Sequence, residues 1–144
     1  MAKLENCIIS KNGGLGVYVT ETLATRDGII ANNTIDGNAG HAIRLTQQAV
    51  GLYRIYNNII SNHTTSGTYP ITCDAGTTAQ NDRQKMFIDY NVFYNNLNAP
   101  NAISYGLNDN RTGSNPYVDQ PNDDYTLTST YINTGYPQTK FPGY

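Results

Sequence analysis

The chain has 144 residues, only 14% of them charged, and a formal net charge of -2. That length suits one domain. The weak negative balance argues against nucleic acid or an anionic membrane as the main partner, since either favours a basic patch.

No apolar run approaches the ~20 residues of a membrane span. The opening MAKLENCIISKNGG lacks the long apolar core of a secretory signal. Cys7 and Cys73 are too few for a disulfide scaffold, and alone they make no metal site. They are expected as unpaired thiols packed as small hydrophobes. Asn, Gly and Tyr are abundant, Trp is absent, and helix-forming composition is missing. Short strands and many turns are the expectation.

In chain order, four stretches repeat one another. KLENCIISKNGGLGVYVTET (3–22) is followed by IIANNTIDGNAGHAIRLTQQ (29–48). RIYNNIISNHTTSGTYPITCDAG (54–76) and FIDYNVFYNNLNAPNAISYGL (87–107) complete the set. Leu4, Ile30, Ile55 and Ile88 share a column, as do Ile9, Ile35, Ile60 and Phe93. Val17, Ile43, Ile71 and Ile103 share another, with Val19, Leu45, Cys73 and Tyr105 beside them. Cys7, Asn33, Asn58 and Asn91 are also equivalent, stepping by 26 residues (7 to 33), 25 (33 to 58) and 33 (58 to 91).

Within each stretch apolar residues alternate in short runs, the period of a strand. Gly and Asn separate the runs, which predicts three short strands per stretch. Identical residue types recurring in one column fit a parallel solenoid, where each residue lies about 4.8 Å above its equivalent. Asn suits the corners because it tolerates the left-handed region. Stacked Asn amides can also bond along the axis, so Asn33, Asn58 and Asn91 are expected as a ladder that ends at Cys7. Asn12, Asn38, His63 and Asn96 form a second corner column, with His63 standing in for Asn.

These repeats resemble the right-handed parallel β-helix proteins of the pectate-lyase-like group, over residues 2–106. The phrases NNTIDGN (32–38) and NNIISNH (57–63) are similar to that family's coil motif. NPYVDQPNDDYTLTSTYINTG (115–135) resembles the closing segment of bacterial β-helix polysaccharide lyases and hydrolases. Pro116, Tyr117, Asp119, Asp124, Tyr125, Leu127, Ser129, Ile132, Asn133 and Gly135 fit that pattern, while Thr130 and Tyr131 replace its Pro-Ala pair. The resemblance implies an all-β, right-handed parallel β-helix of about four coils at residues 1–106, with an irregular capping segment at 107–144 packed on it. It also implies an open N-terminal edge, because Met1 enters at the third strand of a coil. Such an edge invites a further protein chain, as a homo-oligomer or larger assembly.

Alternation assigns Val17 and Val19 inward and leaves three outward columns. They are Gly16–Ala42–Pro70–Ala102, Tyr18–Arg44–Thr72–Ser104 and Thr20–Thr46–Asp74–Gly106. Tyr18, Arg44, Thr72, Asp74 and Ser104 could bind a polysaccharide. Tyr offers a stacking surface with a polar handle, and Arg makes paired hydrogen bonds to carboxylates. The plainer reading is an Arg44–Asp74 surface pair contributing about 0–1 kcal/mol. Ile8, Thr34, Ile59 and Val92 form an outward column that is mostly aliphatic, covered by the tail at 115–144 or by another subunit.

Catalytic candidates are weak. Arg44, Asp74, Asp82, Arg83 and Lys85 could serve a lyase or an inverting hydrolase, but a solvated loop of mixed charge explains 74–85 as well. NDNRTG (108–113) reads as a loop or a weak calcium site of a common Asn/Asp type, and neither a metal nor a cofactor is assigned. The sequence therefore favours a non-enzymatic module for glycan binding or structural assembly, such as a tailspike, adhesin or surface-filament component. The alternative is a polysaccharide lyase or glycoside hydrolase acting on an acidic polymer. Either would work outside the cell, at a cell surface or on a virion.

Overall fold

The computed structural model describes residues 1–20, 27–45, 51–74, 84–101 and 110–128, with the side chains of Gln84 and Lys85 left undescribed. Three parallel sheets wrap one interior. The first stacks β1 (Ala2–Glu5), β4 (Gly28–Ala31), β7 (Gly51–Tyr56) and β10 (Gln84–Asp89) in that order. The second runs β2 (Ile8–Ser10), β5 (Thr34–Asp36), β8 (Ile59–Ser61), β11 (Val92–Tyr94) and β12 (Arg111–Thr112). The third holds β3 (Val17–Val19), β6 (Ile43–Leu45) and β9 (Ile71–Cys73).

Pairing follows the sequence columns. Leu4 lies opposite Ile30, Ile30 opposite Ile55, and Ile55 opposite Ile88. Ile9, Ile35, Ile60 and Phe93 form one rung series, and Val17, Ile43 and Ile71 another. Ile35, Ile43, Leu45, Ile55, Ile60 and Ile71 are completely buried. Each such side chain stabilises the fold by roughly 1.5–3 kcal/mol. Gly28 is required within this core, because a Cβ there would sit 2.5 Å from the Tyr53 ring.

The corners divide their work between two neighbouring residues. Asn6, Asn32, Asn57 and Tyr90 turn the chain with φ of 58, 57, 54 and 56°. Lys11, Gly37, Asn62 and Asn95 do so at the next corner, with φ of 52, 57, 57 and 47°. The residue that follows each one stacks instead. Asn33 donates its backbone N–H and Nδ2 to Asn58 Oδ1 at 3.1 and 3.0 Å, and Asn58 does the same to Asn91 Oδ1 at 3.0 and 3.0 Å. Cys7 ends the ladder, donating its backbone N–H to Asn33 Oδ1 at 3.0 Å. The ladder runs one rung further than the sequence columns. Asn91 donates twice to Asn110 Oδ1, and β12 continues the parallel register past residue 106.

His63 replaces Asn in the second column by imitating its amide. Asn38 Nδ2 donates to Ile9 O and Asn96 Nδ2 to Ile60 O, while His63 Nε2 lies 3.4 Å from the equivalent Ile35 O. His63 Nδ1 faces Gly40 O at 3.1 Å.

Two expected outward positions turn in. Ala42 is fully buried and Pro70 is buried beside it, and a Cβ on Gly16 would meet Ala42 O at 2.7 Å. The strands are only three residues long, so position 42 already belongs to the corner and points at the core. The fourth rung of the third sheet also departs from expectation. Asn101, not Ser104, bridges Thr72. Ala102, Ile103, Ser104, Tyr105 and Gly106 lie outside the described residues.

Beyond β12 the chain turns back along the second sheet. β13 (Tyr117–Asp119) and β14 (Asp124–Leu127) form an antiparallel hairpin around a 3₁₀ turn at Gln120–Asn122. Asp36 anchors it. Its Oδ1 accepts from Ser61 Oγ (2.7 Å) and Asn62 Nδ2 (2.6 Å), and its Oδ2 accepts from Gln120 Nε2 (2.8 Å) and Tyr125 hydroxyl (3.1 Å). Tyr117 hydroxyl lies 2.8 Å from Ser61 Oγ, and Lys11 pairs with Asp123. The hairpin thus meets the Asp36–Ser61 column. In the outward column of Ile8, Thr34, Ile59 and Val92, Val92 is buried while Ile8 stays 60% exposed, and residues 129–144 of the expected cover lie outside the described residues.

Candidate functional site

Register sets the composition of the third sheet's outer face. Tyr18 of β3 lies opposite Arg44 of β6, and Arg44 opposite Thr72 of β9. These are the central residues of three-residue strands, so they point away from the core that Val17, Ile43 and Ile71 fill. Asp74 follows β9, its backbone N–H held by Leu45 O at 3.0 Å.

Arg44 binds Asp74 through both oxygens. Nε donates to Oδ1 at 2.7 Å and Nη2 to Oδ2 at 3.1 Å. The guanidinium carbon also lies 5.4 Å from the centre of the Tyr18 ring, within cation–π range. The Asp74 hydrogen bonds raise the Arg44 pKa above its ordinary value and keep the guanidinium charged. The pair is open to solvent, so its net contribution to stability is about 0–1 kcal/mol. What it supplies is order: a long side chain held over the ring of Tyr18, a residue that is 49% exposed.

Thr72 is not an accessible member of this face, since it is only 6% exposed. Ser104, Asp82 and Arg83 lie outside the described residues, as does the side chain of Lys85. Of the expected site residues, the structure brings Tyr18, Arg44 and Asp74 together. It adds two that the sequence did not suggest. The His41 ring stacks on Tyr69, with centroids 5.8 Å apart and planes 13° from parallel. The backbone N–H of Tyr69 donates to His41 Nδ1 at 2.9 Å. Burial, then the nearby Arg44 charge, lowers the His41 pKa below 6.5. Position 41 follows a corner and position 69 falls in the stretch lengthened before Ile71, so no column predicted that they would meet.

Elsewhere a concavity of about 260 Å³ is lined by Phe93, Asn95, Asn96, Leu97, Asn98 and Pro100, with Ala99 and Thr112. Each of its amides gives one N–H to the fold, as Asn95 reaches Asn62, Asn96 reaches Ile60 O, and Asn98 reaches Thr68 O. Among the described residues no three His, Cys, Asp or Glu side chains group as metal ligands. The Asn33–Asn58–Asn91 ladder is buried and structural.

A family model described as a right handed beta helix region matches residues 2–83, more than half of the chain. The chain belongs to the right-handed β-helix family. The match spans the first three turns of the solenoid and the stretch up to β10, and it agrees with the three parallel sheets. No curated protein and no solved structure matches the chain significantly. No helix among the described residues is long and apolar enough to cross a membrane.

Proposed function

We propose that this β-helix is a non-enzymatic module that binds an extended polysaccharide across the outer face of its third sheet. The observation that carries the reading is the Tyr18–Arg44–Asp74 arrangement. An exposed ring and a guanidinium are held in place before any ligand arrives, which lowers the ordering cost of binding. Successive coils place Tyr18 and Arg44 side by side along the axis, the direction in which an extended polymer would lie. A module of this kind belongs where polysaccharide is met, outside the cell or on a cell or virion surface.

The test uses a set of purified neutral and acidic polysaccharides. The protein should be retained by at least one polymer and should release neither new reducing ends nor unsaturated products. Turnover that disappears in Arg44→Ala or Asp74→Ala would replace this reading with a lyase or hydrolase.

A second reading, assembly, rests on a separate observation. Among the described residues, strands β1, β2 and β3 each pair on one side only. At that end Leu4, Val17 and Val19 are half-buried and join Ile29, Ile30 and Tyr53 around a cavity of about 110 Å³. Unpaired parallel strands beside an apolar opening favour contact with a further chain, including a second copy. Light scattering across a concentration series tests this. Association should appear at high concentration and be lost in Val17→Lys, and a monomer throughout would remove the reading.

A further inference from the structure

We infer that the polysaccharide is an uncharged one, and that His41 and Tyr69 extend its platform beyond Tyr18 and Arg44. This rests on the glycan-binding reading above and adds the ligand's chemical class and two contact residues.

Charge comes first. Arg44 is the residue that would attract an acidic sugar, yet Asp74 already occupies two of its donors at 2.7 and 3.1 Å. An incoming uronate would lie against the Asp74 carboxylate, whether it took the fork's remaining donors or displaced Asp74 from its two bonds. Fixed like charges placed together disfavour a partner strongly. An uncharged sugar needs no such exchange. It can use the remaining donors of the fork through its hydroxyls while Arg44 and Asp74 stay paired.

The histidine leads to the same class. Because Tyr69 N–H donates to Nδ1, that nitrogen carries a lone pair, and the proton of the neutral ring sits on Nε2. Burial and Arg44 both oppose protonation, so the ring is neutral at pH 7. A neutral N–H donor suits a sugar hydroxyl and gives no preference for an anion. The adjoining Tyr69 is half-buried and carries a flat ring with a polar tip. His41 stands two residues before β6 and Tyr69 two before β9, so their stacked rings flank the leading ends of the strands that carry Arg44 and lead to Asp74. Among the described residues of that surface, Arg44 is the only cation and Asp74 its counter-charge.

Affinity electrophoresis decides the point, with a neutral linear glucan or xylan in one gel and polygalacturonate in another at physiological salt. The intact chain should be slowed by a neutral polymer and much less by polygalacturonate. Tyr69→Ala should weaken that binding roughly tenfold, the change expected from losing one stacking contact. His41→Asn should weaken it too, while its Oδ1 still accepts from Tyr69 N–H. Thermal melts of both variants check that they fold. Asp74→Asn frees the Arg44 charge and should raise binding to polygalacturonate.

Stronger retention of the intact chain by polygalacturonate would overturn the inference and leave the glycan reading standing. Retention by no polymer would remove both. Undiminished binding by folded His41→Asn and Tyr69→Ala would overturn the assignment of those two residues.

Discussion

Asn58 shows how much one side chain carries in this fold. Its Oδ1 accepts two bonds from Asn33, and its Nδ2 donates to Ile30 O and Asn91 Oδ1, with the residue completely buried. Asn58→Ala would strand several polar groups at once, each costing about 1–3 kcal/mol when buried without a partner. We expect a loss of about 3–5 kcal/mol, measured by urea denaturation. The ladder was legible because Asn33, Asn58 and Asn91 recur in step with the apolar columns. Asn110 was not, because it follows Asn91 by 19 residues and breaks the step. The separation of turning residue from stacking residue was hidden too, since an Asn-Asn pair offers both roles to either member.

His63 makes stability depend on pH. Burial lowers its pKa below the ordinary 6.5, and no other cause outweighs burial. The unfolded chain therefore binds a proton at pH values where the folded chain does not. Stability from this group is full above about pH 6.5 and falls as pH drops below it, towards the lower folded value. His41 acts in the same direction from a more exposed position. Melting temperature should fall between pH 7 and pH 5, and His63→Asn should flatten that slope because Asn is the residue its column otherwise uses. An unchanged slope in His63→Asn would contradict this account.

Among the elements, the hairpin of β13 and β14 depends on a residue far away in sequence. Asp36 lies 84 and 89 positions from Gln120 and Tyr125, its hairpin partners. Its carboxylate is fully buried and satisfied by four donors. Asp36→Asn places an amide N–H where an acceptor is needed. We expect about 1–3 kcal/mol of destabilisation and faster hydrogen exchange across 117–127. The Ile35 rung should keep its protection, because its parallel pairing does not use the carboxylate. The closing pattern around Tyr117 and Tyr125 was legible as a motif, but its anchoring on Asp36 was not. No spacing rule links residue 120 to residue 36.

Gly28 sets a similar limit within the first sheet. Gly28→Ala would push a methyl group into the Tyr53 ring, and overpacking of this kind costs about 1–3 kcal/mol. The third sheet shows where periodicity gave out. The columns placed Ser104 opposite Thr72, whereas Asn101 holds that position. The interval between Asn58 and Asn91 is longer than the others, and a strand of three residues has too few apolar positions to fix its register from sequence alone.

For the whole molecule, the architecture was open to reading because a solenoid repeats each structural demand in every coil. The binding face was legible only in part. Tyr18, Arg44 and Asp74 follow from alternation, while His41 and Tyr69 meet through a corner whose length varies between coils. The direct measurement is a titration of isotope-labelled protein with a neutral linear oligosaccharide, followed residue by residue through its amide NMR signals. The account predicts shifts concentrated at Tyr18, His41, Arg44, Tyr69 and Asp74. Shifts confined to the Asn95–Pro100 concavity, or none with any sugar tested, would contradict it.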